Sequence, residues 1–131
     1  MSPALPAGAR ARDGTYTGII ECDTIPERTS GPLRTDFVLS IKGNRASYER
    51  ELLKPTSAAR MGVTERGTGT ISEAGQLTLV GGAGAQTWSY QGTYKGQFEG
   101  TSLRLSGAQE WRLAERGARS RPCTIRAVRS G

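Results

Sequence analysis

No histidine occurs anywhere in the 131 residues. Its absence removes Ser-His and Cys-His nucleophilic catalysis, together with the commonest general base and the commonest zinc ligand. Two cysteines are too few for a four-thiolate zinc site. No apolar run is long enough to cross a membrane as a helix, so no transmembrane segment is expected. Phosphate-binding glycine motifs are missing as well. Gly67-Thr-Gly69 and Gly81-Gly-Ala-Gly84 read as strand and turn glycines, because no helix follows whose N-terminus would hold a phosphate. Carboxylate pairs remain an option without histidine, but most of the twelve acids fall in turns or on outward phases, and only Glu65 falls inward. The chain therefore reads as non-enzymatic, with no cofactor and no metal.

What the chain has instead is an alternation of period two. In 14-22, Tyr16, Gly18, Ile20 and Cys22 share one face while Thr15, Thr17 and Glu21 take the other, as a half-buried strand requires. Residues 36-42 put Phe37, Leu39 and Ile41 on one side, Gly43-Asn44 reads as a two-residue hairpin turn, and the chain returns through Ala46, Tyr48, Arg50 and Leu52. Segments 64-72 and 77-81 flank a turn at 73-76, and 87-98 and 102-113 flank a turn at 99-101. Residues 122-128 make the eighth strand. In 88-98 the aromatics Trp88, Tyr90, Tyr94 and Phe98 alternate with polar residues, a spacing that a helix would scatter around its surface. One helical turn is expected, within 55-61. Eight short strands and eighteen glycines predict an all-β domain, a single eight-stranded antiparallel up-and-down β-barrel, with a β-sandwich as the alternative.

In an eight-stranded meander the end of strand 1 lies level with the start of strand 8. Cys22 and Cys123 occupy those places and share the inward phase. A disulfide there would seal the barrel and imply an oxidising compartment; two separate buried thiols are the other reading. Residues 1-13, rich in Pro, Ala and Gly, read as a flexible N-terminal arm to a barrel domain at 14-131. The arm lacks an apolar h-region, so it is read as the start of a mature periplasmic or secreted chain with a methionine added.

Charge is uneven along the chain. Of eighteen basic residues, six are arginines in 112-131, against one acid there, Glu115; residues 1-111 hold the other twelve basic and eleven acidic side chains. Arg112, Arg116, Arg119 and Arg121 are the candidate anion-facing surface, for an acidic protein or an acidic membrane surface. An arginine-rich face that is merely solvated accounts for them equally well. Nucleic acid is disfavoured, because the basic stretch has no aromatics interleaved with it beyond Trp111.

Strand direction then assigns the connections to two ends. Segments 23-34, 53-62, 82-86 and 114-120 fall at one end, the top, while the short turns 43-44, 73-76 and 99-101 fall at the bottom. Long loops at one end mark a mouth. Trp88, Tyr90, Trp111, Gln109, Arg50 and Glu65 are placed there on inward phases, a mixture of aromatic and polar groups that suits a ligand site. The competing reading has the tryptophans plugging the barrel and Arg50 paired with Glu65 on the next strand.

Gly96-Gln-Phe98, Arg104 and Gln109-Glu-Trp111-Arg-Leu113 resemble the strand 6-7 hairpin of avidin-like barrels, and Gly14-Thr-Tyr16 is similar to that fold's Gly-Thr-Trp opening. The resemblance covers about a quarter of the chain and implies an avidin-like or wider calycin-type barrel. It does not carry biotin binding over. The family's strand-1 asparagine and serine have no counterparts around Gly18 and Cys22, and its strand-8 aspartate is missing from 124-128. Two functions stay open. One is a binding protein taking a small, partly aromatic or anionic molecule in its mouth. The other is an interaction protein, in outline like small disulfide-linked barrels that inhibit proteases, capping another protein with its loop rim and its N-terminal arm.

Overall fold

A computed structural model describes residues 12-24, 33-53, 60-115 and 117-131. Its strands are β1 (Gly14–Cys22), β2 (Leu33–Lys42), β3 (Arg45–Leu53), β4 (Arg60–Ile71), β5 (Gln76–Ala85), β6 (Trp88–Glu99), β7 (Ser102–Leu113) and β8 (Gly117–Arg129). Each pairs antiparallel with the next, and β8 returns to β1, so the sheet closes into a barrel. A sandwich is excluded. Closure removes the free edges that eight consecutive strands would otherwise leave.

The β1–β8 ladder places Cys22 directly opposite Cys123, and the two are joined in a disulfide across 101 residues of chain. The bond sits at the upper end of that ladder. At the lower end, Thr15 donates its amide to the carbonyl of Gly131, 2.8 Å away.

Two expected loops are strand instead. β5 continues through the glycine-rich run to Ala85, leaving a two-residue turn before Trp88, and β8 starts at Gly117 instead of residue 122. The long connections at the top therefore reduce to those following β1 and β3. Both strand extensions have one cause, a partner already in register. β6 pairs residue by residue with β5 up to Ala85↔Trp88, and β7 pairs with β8 up to Leu113↔Gly117, so their backbone groups find ladder bonds despite weak local strand preference. The helical turn expected in 55-61 falls mostly outside the described residues; Arg60 and Met61 already belong to β4.

The lower and middle barrel is filled. Tyr16, Ile20, Phe37, Leu39, Leu77, Leu79, Tyr94, Leu105 and Ile125 are almost wholly shielded from solvent and form one apolar cluster. Arg12 and Asp13, assigned to the arm, are held against the bottom. The Arg12 carbonyl accepts from the Tyr16 hydroxyl at 2.8 Å, its guanidinium lies 5.3 Å from the Phe98 ring centre, and Asp13 Oδ1 accepts from the Gly43 amide at 2.7 Å. Residue 12 thus enters at the end opposite the mouth. The outer wall carries charged side chains such as Lys42, Glu49, Arg66 and Arg104, the reverse of the apolar-out pattern of a membrane barrel. No helix among the described residues is long and apolar enough to cross a membrane.

Candidate functional site

Above the apolar cluster lies a polar layer, and it exists because glycines make room for it. Gly67, Gly81 and Gly92 stand side by side across β4, β5 and β6, on the inward phase. A Cβ at Gly67 would come within 2.2 Å of the Tyr48 ring, one at Gly81 within 2.2 Å of the Tyr48 hydroxyl, and one at Gly92 within 2.2 Å of the Tyr94 hydroxyl. Because this row is bare, Tyr48 from β3 and Tyr94 from β6 can lie across the sheet and carry their hydroxyls inward.

Glu65 is at the centre of the layer and has no solvent exposure. Its Oε2 accepts from the Tyr48 hydroxyl and its Oε1 from the Tyr90 hydroxyl, both short at 2.5 Å. Oε1 also takes Arg50 Nη2 at 2.7 Å, which follows from the direct cross-strand pairing of Arg50 with Glu65. A second polar group centres on Gln109, also fully buried. Its Oε1 accepts from Trp111 Nε1 at 3.0 Å and from Arg121 Nε at 2.8 Å, and its Nε2 donates to the Tyr94 hydroxyl at 3.1 Å. A buried carboxylate with three donors and a buried amide with three partners are what low-dielectric surroundings require of polar groups.

Burial raises the phenol pKa of Tyr48, Tyr90 and Tyr94, and the Glu65 charge raises each further. Arg121 is pulled down to about 10, first by burial and then by the like charge of Arg50. Among the described residues one buried side-chain donor, Arg50 Nε, has no hydrogen-bond partner.

The aromatic wall closes the layer from above. Tyr90 and Trp111 stack with ring centres 4.3 Å apart at 24°. Trp88 lies 5.5 Å from Trp111 and 6.2 Å from Tyr90, near parallel to the latter at 13°. Arg121 covers Trp111 with its guanidinium 5.3 Å from the ring centre. Trp111 keeps 7% of its surface exposed, so it works chiefly as a plug, whereas Trp88 is only half-buried.

All six residues expected at the mouth are therefore brought together: Trp88, Tyr90, Trp111, Gln109, Arg50 and Glu65 touch in one connected layer. The expected arginine surface is not. Arg112 points outward, Arg116 lies outside the described residues, and Arg119 donates to the Ala118 carbonyl at 2.8 Å. Arg121 is buried in the mouth. The early start of β8 is the reason, since it gives residues 119 and 121 the inward phase of Cys123. Tyr48 and Tyr94 are the members that pattern reading left in the core. Their inward phase was legible, but the glycine row that lets their hydroxyls reach Glu65 and Gln109 only appears once strand register is known.

Among the described residues no three Cys, Asp or Glu side chains group closely enough to hold a metal ion. By its closed eight-stranded meander the protein is an antiparallel barrel compatible with the calycin type. No protein-family model and no curated protein sequence matches the chain.

Proposed function

We propose that the protein is a non-enzymatic binding module of an oxidising compartment, periplasmic or secreted, whose ligand engages the upper end of the barrel. The observation that carries this reading is the segregation of polar groups. Arg50, Glu65, Gln109 and Arg121, the buried polar and charged side chains among the described residues, all sit in the layer beneath Trp88 and Trp111. A barrel needing only a core would fill this end with apolar side chains, as it does below, because buried ionic networks cost about as much as they return. The filled interior favours a shallow site at the mouth over a deep calyx, with Trp88 as its accessible wall and Arg50 as its anchor. The resemblance to avidin-like barrels is then one of scaffold and not of ligand. The disulfide supports the compartment.

Small molecules are favoured over a capped protein partner, because single buried polar groups set among stacked aromatic rings are the mixture that small-molecule sites use. Titrating a panel of aromatic acids, amides and amines against tryptophan fluorescence, with a backbone chemical-shift map of any binder, tests this. Shifts centred on Trp88, Tyr90 and Trp111, with Gly43 and Asn44 silent, are expected. A map centred on the bottom turns or the outer wall would overturn it.

A further inference from the structure

Strand register gathers positive charge on the outer wall, away from the mouth and from the arginine-rich end of the sequence. Lys42, Arg45, Thr70, Thr78 and Lys95 stand opposite one another in turn across β2 to β6. One row above them run Ser40, Ser47, Thr68, Val80 and Thr93, joined in the same way. All ten take the outward phase, and they supply three cations, six hydroxyls and no acid. Over β2 to β5 the two rows line an open groove of about 700 Å³. Lys42 directly faces Arg45 across the ladder, and like charges so placed destabilise a sheet. Among the described residues no acid pairs with Lys42, Arg45 or Lys95. At the outward positions adjoining the rows on these strands the one acid is Glu49, and Arg66 already holds it at 3.2 Å. The groove therefore favours an anionic partner.

The cations set the reach of that partner. From β2 to β6 is four strand spacings, about 19 Å along the wall. A single small anion meets only one end of this span, whereas a chain of repeated anions meets all three cations. The uncharged lining sets the body. Neither row contains an aromatic ring on which a base could stack, and Val80 alone gives no apolar face for a lipid surface. Extended peptides commonly add to a free sheet edge, but along both rows β3, β4 and β5 are paired on both sides. Hydroxyls both donate and accept, so six of them suit a partner that is itself rich in hydroxyls. We propose a second site, independent of the mouth: the outer wall of β2 to β6 binds an acidic polysaccharide, with its carboxylates at Lys42, Arg45 and Lys95 and its hydroxyls on the serines and threonines between them.

Oligogalacturonate, a dextran oligomer of matched length and a short poly-glutamate, each titrated into the full oxidised chain, separate the elements of this assignment. Backbone amides are followed by NMR and affinity by calorimetry. Oligogalacturonate is expected to shift the amides of the two rows while Trp88 and Trp111 stay silent. It should weaken about tenfold or more in about 1 M salt, where screening acts within about 3 Å. Lys42→Gln with Arg45→Gln removes two charge-assisted contacts and should also weaken it about tenfold or more; both side chains are exposed, so the fold is kept. Arg34→Gln with Arg112→Gln removes the same charge from exposed positions off the rows and should leave affinity near wild type. Equal weakening by the two double variants overturns the rows in favour of net charge. Dextran binding as tightly as oligogalacturonate overturns the role of the cations, and poly-glutamate binding as tightly at the same amides overturns the polysaccharide. Shifts confined to other residues, or no binding of oligogalacturonate, overturn the site; small-molecule binding at the mouth stands or falls by its own titration.

Discussion

Reducing the Cys22–Cys123 bond is the perturbation whose size follows most directly from the barrel's topology. The two sulfurs close a loop with a sequence separation of 101, nearly the whole domain. For a loop of that length the chain-entropy relation gives about 4.7 kcal/mol at 25 °C, and native disulfides of small domains return about 2–5 kcal/mol when removed. The reduced barrel need not open. Seven residue pairs, from Tyr16↔Arg129 to Cys22↔Cys123, still hydrogen-bond β1 to β8, so the loss should fall almost wholly on the unfolded state. We therefore expect oxidised and reduced wild-type protein to have superimposable native spectra, with urea unfolding showing a loss of about 2–4 kcal/mol on reduction. The m-value should rise, since the unlinked chain exposes more surface on unfolding. Cys22→Ala with Cys123→Ala should reproduce the reduced protein, apart from a small packing loss. A difference below about 1 kcal/mol with an unchanged m-value would refute the reasoning, because it would mean that the unfolded ensemble already holds the two ends together.

Two further outcomes follow from the polar layer. Glu65→Gln strands the Arg50 guanidinium and turns an acceptor of three bonds into a group with one accepting oxygen, so it should cost about 3–5 kcal/mol in urea unfolding, the scale of a broken buried ion pair; a variant as stable as wild type would show that the layer is not the connected network described. Tyr48, Tyr90 and Tyr94 all have raised phenol pKa values, so above pH 10 the unfolded chain releases protons that the folded chain keeps. Stability is then intact below about pH 10 and falls as pH rises above it, by about 1.4 kcal/mol per unit for each phenol. Tyrosinate absorbance should appear together with loss of the near-ultraviolet circular dichroism signal; smooth titration of all four tyrosines near pH 10 with the fold retained would be the contrary result.

The disulfide and the mouth belong to one design problem. A barrel that concentrates its buried charges at one end loses apolar stabilisation there, and closure of β1 onto β8 beside that end offsets the loss. Arg121 illustrates the coupling: its Nη1 bonds the carbonyl of Asp23, the residue after Cys22, while its Nε bonds Gln109. The seam of the barrel and the floor of the mouth are thus held by the same side chain.

Strand number, strand phase, closure and the pairing of Cys22 with Cys123 were legible in the sequence, because a period of two is a local property and an up-and-down meander leaves little freedom in which strand neighbours which. The six mouth residues were legible for the same reason, since each is an inward position near a predictable strand end. What was not legible depended on register. The extension of β5 through its glycines and of β8 back to Gly117 came from ladder partners that local preference does not reveal, and that extension moved Arg121 from a supposed surface into the mouth. The glycine row of Gly67, Gly81 and Gly92 is spread over three strands, and only their alignment opens the space into which Tyr48 and Tyr94 lean. Alternation along each strand pointed to the barrel over a sandwich and put the polar residues on inward phases at its upper end; which hydroxyls, amides and guanidinium groups meet there came from strand register, because hydrogen bonds between side chains depend on cross-strand distances of a few ångströms that no pattern along a single strand encodes.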